Sequence, residues 1–533
     1  MDDTIALIVT GFAGIVVLAV LSRRLLLRSN FPNLPAPPAG SLLTGNVHRM
    51  RSRHSIEYRR HVTDTHGPLF KLAGPYGAEW LYIYDPKALY SIAIKDQDVW
   101  GKHGALLTMI MLGPGLLATE HHQHRKQRKM LTPVFSAAYL RNITSVFYET
   151  TYKLRDAVLA DINSDADEID VLKWTGRAAL ELLGQGALGH SFDPLTKEVP
   201  DAFAAAVKSF FAALGPLHLF HIMLGPLRRC GPSWFRRMVV DAAPFESVQR
   251  MKAIVDTMHA RSIEIVEEKR ASLMRDDEAM QRLGEGKDVM SILLRANMAA
   301  GEKDRLTEEE LIAQVSTFVL AGMDTTSIAT SRVLHILASK KDAQTKLRNE
   351  ILEAQAGTEV SYDTLMELPF LDAVCRETLR VYAPVTTISR YAVKDTVLGL
   401  SAPIRHRRAL RPRRVQHEHG ACNTNTALWG PDAREWKPER WLAPLPREVE
   451  EVRVPGVYSN LMTFHGGGRS CIGFKYAQLE LKVVLAVLLA NFRFELSDKD
   501  IVWNSAGVMY PTVGPVSKKP EMPLKVSVFR ERM

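Results

Sequence analysis

The residues with the strongest chemical signature lie near the C-terminus, in Phe464-His465-Gly466-Gly467-Gly468-Arg469-Ser470-Cys471-Ile472-Gly473. One cysteine sits on a glycine-rich loop, with an arginine two residues before it and a glycine two after. An apolar, helix-forming run, Phe474 to Ala490, follows directly. A thiolate at a helix start is favoured by the macrodipole and by free backbone N–H groups. The glycines let the backbone approach a flat ligand closely, and Arg469 can pair with an anionic group on that ligand. These are the requirements of a haem iron held by cysteine. A lone cysteine is more often an inert buried residue; the joint order of Phe464, Gly467, Arg469, Cys471 and Gly473 argues against that here.

A second chemical patch lies mid-chain. Thr307 and Glu310 are spaced as a capping box, and apolar residues recur at helical period from Leu311, Val315, Phe318 and Val319 to Leu334 and Leu337. The pattern predicts the longest helix of the chain. In its middle stands Ala321-Gly322-Met323-Asp324-Thr325-Thr326. A Gly, an Asp and two Thr are poor choices for a buried helix centre, and a locally costly patch is where function is sought. The reading is a helix opened at Gly322 to a ligand or water, with Asp324 and Thr325 relaying protons; a polar kink is the structural alternative. His124 and Arg128, spaced i, i+4, share one face of a helix within 121–139, and Arg125, Lys126 and Lys129 make its other face basic. Glu377 and Arg380, spaced i, i+3, share a face of another helix, and Lys437-Pro438-Glu439-Arg440-Trp441 follows later.

Taken together and in chain order, the Ala-Gly-x-Asp-Thr patch, the Glu-x-x-Arg helix and the Phe-x-x-Gly-x-Arg-x-Cys-x-Gly loop resemble the cytochrome P450 family. The resemblance runs over nearly the whole chain. It implies a mostly α fold with a small β-rich part, preceded by one N-terminal transmembrane helix. Cys471 would be the axial thiolate of haem b iron, with Phe464, Gly467, Arg469 and Gly473 in its binding loop. His124 and Arg128 would reach the haem propionates, although the family usually has Trp where this chain has His124. Asp324 and Thr325 would deliver protons, and Glu377, Arg380 and Arg440 would form a buried ionic cluster that locks the loop. Segments 384–389 and 505–514 would line the pocket, and 203–238 would roof it and lean on the membrane.

The activity implied is insertion of one oxygen atom from O2 into an apolar small molecule, such as a terpenoid of fungal-type secondary metabolism or a hydrophobic xenobiotic. Electrons would come from NADPH through a separate flavoprotein reductase docked on the basic helix face. No Gly-x-Gly-x-x-Gly follows a strand in the sequence, so the chain has no flavin or nicotinamide module of its own. Two other readings stand beside this one. A haem-thiolate isomerase or dehydratase needs no O2; the Asp324-Thr325 pair argues against it. A catalytically impaired haem protein would result if segment 403–422, described below, is defective.

The rest of the sequence fits this frame. The chain has 533 residues and is 46% apolar, ample for a large core. Its four cysteines are scattered, with neither disulfide nor zinc spacing. The net charge of +9 comes without any zinc-finger, basic-zipper or RNA-binding signature, which argues against nucleic acid. Residues 5–22 carry no charge and approach the ~20 residues that span a bilayer core. Asp2 and Asp3 precede this run and Arg23, Arg24 and Arg28 follow it, which puts residues 1–4 in the lumen and the catalytic part in the cytosol. The expectation is a single-pass anchor in membrane lipid of the endoplasmic reticulum, then a basic and proline-rich hinge at 23–40, stiff and extended, then a haem domain from 41 to 533. The sequon at Asn142 would then never meet the glycosylation machinery. Residues 69–84 read as two short strands around a turn, and 101–120 as an irregular apolar stretch that lines something.

Residues 405–420, RHRRALRPRRVQHEHG, fit nothing around them. Six arginines against one glutamate supply five of the nine net charges. Such a stretch suits neither a buried nor an alternating strand, so the expectation is a disordered, solvent-exposed loop. The codon table allows Arg405-His406-Arg407-Arg408 to be read one base over as Gly-Thr-Asp-Gly, and Gln416-His417-Glu418-His419 as Ser-Thr-Ser-Thr. A reading-frame error between about Pro403 and Cys422 is the explanation drawn from the sequence.

Overall fold

A computed structural model describes residues 29, 31–41, 43–163, 168–195, 202–214, 217, 231–275, 288–355, 359–402 and 414–529. The expected anchor at 5–22, Arg23, Arg24 and Arg28 after it and the arginines at 405–413 lie outside the described residues. The chain divides into two compact units, one of Met1–His103, Thr386–Ala433 and Pro446–Ser470, the other of Gly104–Val385, Arg434–Leu445 and Cys471–Met533. The strands are β1 Leu69–Ala73, β2 Glu79–Ile83, β3 Trp100–Lys102, β4 Ile169–Asp170, β5 Thr387–Ala392, β6 Arg414–Glu418, β7 Phe492–Leu496, β8 Ile501–Asn504, β9 Tyr510–Val513 and β10 Pro523–Val528.

The first unit is built on a sheet of order β1-β2-β6-β5-β3. β1 and β2 form the hairpin expected at 69–84, closed by a 3-10 turn at Pro75–Gly77. β2 pairs in parallel with β6, and β6 pairs antiparallel with β5. Leu81, Ile83, Trp100 and Val415 fill one core of this unit, and Phe70, Leu72, Trp80 and Tyr82 another. The proline-rich stretch is no free spacer. Phe31 is buried in the first core with Leu34 against it, and the carbonyls of Pro35 and Pro38 accept bonds from Lys71 N and Asn46 Nδ2. Two apolar side chains among the prolines, Phe31 and Leu34, give the segment something to bury.

The second unit is helical. Its main elements are α1 His121–Leu131, α2 Ala137–Ile162, α3 Val171–Leu183, α4 Ala202–Leu214, α5 Glu246–Arg275, α6 Glu308–Ser339, α7 Lys341–Gln355, α8 Pro369–Val381 and α9 Phe474–Asn491. Two small sheets, β4-β10-β7 and β8-β9, complete it. α6 is the predicted longest helix. Thr307 Oγ1 accepts from Glu310 N at 3.3 Å while Glu310 Oε2 accepts from Thr307 N at 2.8 Å, so the capping box is closed. α6 is the one described helix long and apolar enough to cross a membrane, but its most apolar window is 72% buried. A helix apolar on nearly all sides is buried in a core, and α6 packs against α3, α5 and α9.

The expectation of an exposed loop at 405–420 fails for the part that is described. Arg414–Glu418 is β6, in the interior of the sheet, and His419–Asn423 is a short helix. Charge alone was a poor guide, because the neighbouring strands meet these side chains. The Arg414 guanidinium lies 4.0 Å over the Trp80 ring. Val415 is buried in the core. The Glu418 carboxylate accepts from Tyr82 and from Thr387 at 2.8 Å, with Arg59 3.9 Å away. The histidines fare worse. His417, His419 and His465 are buried together, and both ring nitrogens of His417 and of His419 lack a hydrogen bond. Burial first, and the Arg390 charge second, push His419 down to about 3 and His417 and His465 well below the usual range.

Buried polar groups seldom stay unpaired, and each costs about 1–3 kcal/mol. Below the ordinary imidazole pKa of ~6.5 the unfolded chain takes up protons that the folded chain refuses, so stability falls as pH falls from there toward 3. The reading-frame proposal gives a direct test. A chain carrying Gln416→Ser, His417→Thr, Glu418→Ser and His419→Thr should unfold at higher urea than the parent and lose less stability between pH 7 and 5. Equal midpoints and equal pH dependence, or a transcript that encodes the arginines in frame, would remove it.

Candidate active site

Cys471 stands three residues before Phe474, where α9 begins, with Gly473 as the N-cap. Among the described free cysteines it alone is exposed; Cys375 and Cys422 are buried, and burial pushes the Cys375 thiol up to about 12. The surrounding protein also raises the Cys471 thiol, while the Gly473 N–H and the Arg128 charge pull it back toward the thiolate. Phe135 fixes this end of α9. Its ring meets Tyr476 edge-on at 6.3 Å and Phe318 of α6 at 5.7 Å. Arg128 is half-buried on α1 and His124 buried one turn before it, so the pair shares a face as the spacing predicts. On the other face Arg125 and Lys129 are exposed.

The N-terminal half of the loop belongs to the first unit, and the chain passes to the second between Ser470 and Cys471. Gly467 has φ +67°, and a Cβ there would stand 1.8 Å from the Ala93 carbonyl oxygen, so no other residue fits. Phe464 packs edge-on to Tyr458 at 5.6 Å, and Arg469 is half-buried. His465 holds φ +57° without being glycine, a strain of about 1–3 kcal/mol. Arg390 of β5 bonds its Nε2 at 3.3 Å.

On α6, Ala321 is exposed and Asp324 and Thr325 are half-buried, in a helix otherwise largely buried. The expected opening at Gly322 is absent: α6 runs unbroken through it. The hydroxyls of Thr325 and Thr326 donate to the carbonyls of Ala321 and Gly322 at 2.8 and 2.6 Å, the i−4 bonds that threonine makes inside helices. Gly322 serves packing instead, since a Cβ there would meet Leu183 Cδ1 of α3 at 2.5 Å. Desolvation raises the Asp324 carboxyl to about 6, and the Lys208 charge on α4 draws it back.

The third set is joined within the second unit. Arg380 Nε and an Nη donate to the two Glu377 oxygens, both at 2.8 Å, and Arg440 Nε lies 3.6 Å from Oε1. The Lys437 N–H and the Trp441 indole complete the carboxylate's shell at 2.9 and 3.0 Å. Sequence reasoning missed three residues that the structure brings to these groups. Lys208 bears on Asp324 and Arg390 on the cysteine loop. Glu480 of α9 comes beside Thr326, and burial raises its carboxyl to about 8. A Glu inside the apolar run 474–490, and an Arg in the β-type segment after Pro384, were the available signals.

A soft thiol left exposed beside an aromatic wall and a guanidinium is a donor set that suits haem iron and its propionates. The arrangement is that of a haem-thiolate protein. The sequence model described as Cytochrome P450 matches residues 35–515. The chain is 48% identical over 520 residues to cytochrome P450 monooxygenase 91 of Postia placenta, covering 95% of this chain and 96% of that one. It is 47% identical over 546 residues to ganoderic acid synthetase CYP5150L8 of Ganoderma lucidum, covering 99% and 100%. This chain belongs to the cytochrome P450 family, as a haem-thiolate monooxygenase.

The ionic cluster generates a stability prediction. Glu377 and Arg380 are fully buried. Glu377→Gln leaves an uncompensated buried guanidinium and should cost about 3–5 kcal/mol in urea unfolding. Arg141→Ala, which breaks the exposed pair with Asp363, should leave the midpoint where it is. Equal effects of the two substitutions would contradict the burial argument.

Proposed function

We propose that this protein inserts one oxygen atom from O2 into an apolar small molecule of secondary metabolism, such as a terpenoid, or into a hydrophobic xenobiotic. The observation that carries the reading is the exposed Cys471 at the start of α9, in a unit whose core helix opens a polar patch at Asp324-Thr325. Bound haem supplies the reduction of O2 and the transfer of its oxygen atom. Cys471 would hold the iron, with the Gly473 N–H and Arg128 stabilising the thiolate. Arg128, His124 and Arg469 would hold the propionates, and Phe464, Gly467 and Gly473 would shape the loop. Asp324, at about 6, can hold and release a proton near neutral pH. The Thr325 hydroxyl rests on the Ala321 carbonyl, and one χ1 rotation frees it to pass that proton on. The Glu377, Arg380 and Arg440 cluster would fix the segment that precedes the loop.

Ile328, Val508 and Met509, with Phe211, Val385 and Tyr510 against them, offer an apolar lining and support an apolar substrate. The relative named ganoderic acid synthetase supports a secondary-metabolic role. Electrons would come from NADPH through a separate flavoprotein reductase, docked on Arg125, Lys126 and Lys129. Residues 5–22 would anchor the chain in the endoplasmic reticulum with the catalytic part cytosolic. Exposed Trp234, Met238 and Phe245 suit a surface that leans on lipid.

Three measurements test this. The reduced, carbon-monoxide-bound protein should show the red-shifted Soret band of thiolate ligation, and Cys471→Ala should abolish it; a band that survives the substitution ends the reading. Thr325→Ala should keep its haem but divert NADPH-derived electrons to free peroxide, lowering product formation about 10²-fold. Unchanged coupling of NADPH use to product would refute the proton-delivery role. In sealed microsomes, added protease should reach the chain after Gly40; full protection would place it in the lumen.

A further inference from the structure

Arg332 of α6 is a cation with no anionic partner among the described residues. Its guanidinium lies 3.5 Å over the Trp503 ring of β8 and 4.2 Å over the Tyr382 ring. Among the described residues it makes no hydrogen bond and no ion pair. Trp503 is itself held, because its indole N–H donates to His335 Nδ1 at 3.1 Å. The two π-faces offset part of the cost of desolvating the charge, but they use none of the five N–H donors. A neutral side chain of similar length would fill the same slot without that cost. Desolvation lowers the guanidinium to about 9, so it remains a cation at neutral pH.

The position of this cation is specific. Thr325, Ile328 and Arg332 recur at i, i+3 and i+7, on one face of α6. Ile328 packs against Val508 and Met509, with Trp503 beside them. One helix face thus carries, in sequence, a hydroxyl, an apolar wall and a half-buried cation that has no hydrogen-bonding partner among the described residues. Seven residues of helix rise by about 10 Å, and long side chains on a helix generally lean back toward its N-terminus.

We infer that Arg332 is an anchoring residue for the carboxylate of an otherwise apolar acid that lies along this face. The guanidinium would take the carboxylate in a two-pronged hydrogen-bonded pair, while the chain or ring system packs on Ile328, Val508 and Met509. The carbon brought to Thr325 is then within about 10 Å of the carboxylate, roughly eight bonds of an extended chain. The inference rests on the monooxygenase reading for the meaning of that distance, but not for the binding itself.

The test compares dodecanoate with methyl dodecanoate by calorimetry on the full-length protein. Dodecanoate should bind about tenfold or more tightly than its ester, the effect of hydrogen bonds to a charged group. Arg332→Met should erase that preference and leave ester binding as it was. Arg332→Lys, which keeps the charge but not the planar fork, should retain part of it, and guards against a Met variant that fails to fold. A parent with no preference for the acid, or an Arg332→Met protein that keeps the preference, overturns the inference. An acid preference that is lost in Arg332→Met, in a protein without the thiolate Soret band, upholds the anchor and rejects the haem reading instead.

Discussion

The structure turns on keeping one thiol open. Burial in protein drives a thiol toward its neutral form, as it does for Cys375, yet the iron ligand proposed at Cys471 must be a thiolate. At Cys471 the opposing terms are local: an N–H of the N-cap glycine, the start of α9, and the Arg128 charge. Each needs another element in place. α9 is held by its long apolar surface against α2, α6 and α7, and Phe135 ties its first turn to Phe318. The carboxylate of Glu377, gathering two arginines and two further N–H donors, fixes 437–441 to α8 at full burial.

The core helix carries the opposite constraint, polar groups where apolar ones would be more stable. α6 resolves this without breaking. Its threonines bond back to their own helix, its glycine admits Leu183, and Ala321, Asp324 and Thr325 remain partly open near its middle. Desolvation sets Asp324 near neutrality, and Glu480 from α9 stays protonated above neutral pH beside Thr326. The same helix ends its open face on a cation held between two rings. The proposed proton-relay pair, an apolar wall and a charge are thus laid out along one rigid element, which positions side chains better than a loop does.

The central strand of the first unit shows how far backbone pairing can carry an ill-suited sequence. β6 pairs on both sides although its residues are Arg, Val, Gln, His and Glu. Arg414 finds a ring and Glu418 finds two hydroxyls, but the imidazoles find nothing on most of their nitrogens. Pairing is set by the flanking strands; satisfaction of side chains is not. That contrast is what a strand read in the wrong frame would produce.

What the sequence by itself determined were the features that depend on near neighbours. The capping box at Thr307, the shared face of His124 and Arg128, the hairpin at 69–84 and the Glu377-Arg380 pair follow from spacing along one element, and each is present as read. The cysteine motif is legible as a local pattern, although its glycines answer to distant backbone: a Cβ at Gly467 would meet the Ala93 carbonyl oxygen at 1.8 Å. Only the tertiary structure decided the rest. That Gly322 packs against α3 rather than opening α6, that Phe31 and Leu34 bind the proline stretch to a core, that Arg390 meets His465 within the first unit, and that Lys208 and Glu480 come to Asp324 and Thr326 within the second all depend on partners far away in sequence. Residues 414–418 were misjudged for the same reason. Charge along a segment is visible in its sequence, whereas the ring, the hydroxyls and the paired backbones that accommodate it belong to strands more than three hundred residues earlier and to the strand just before it.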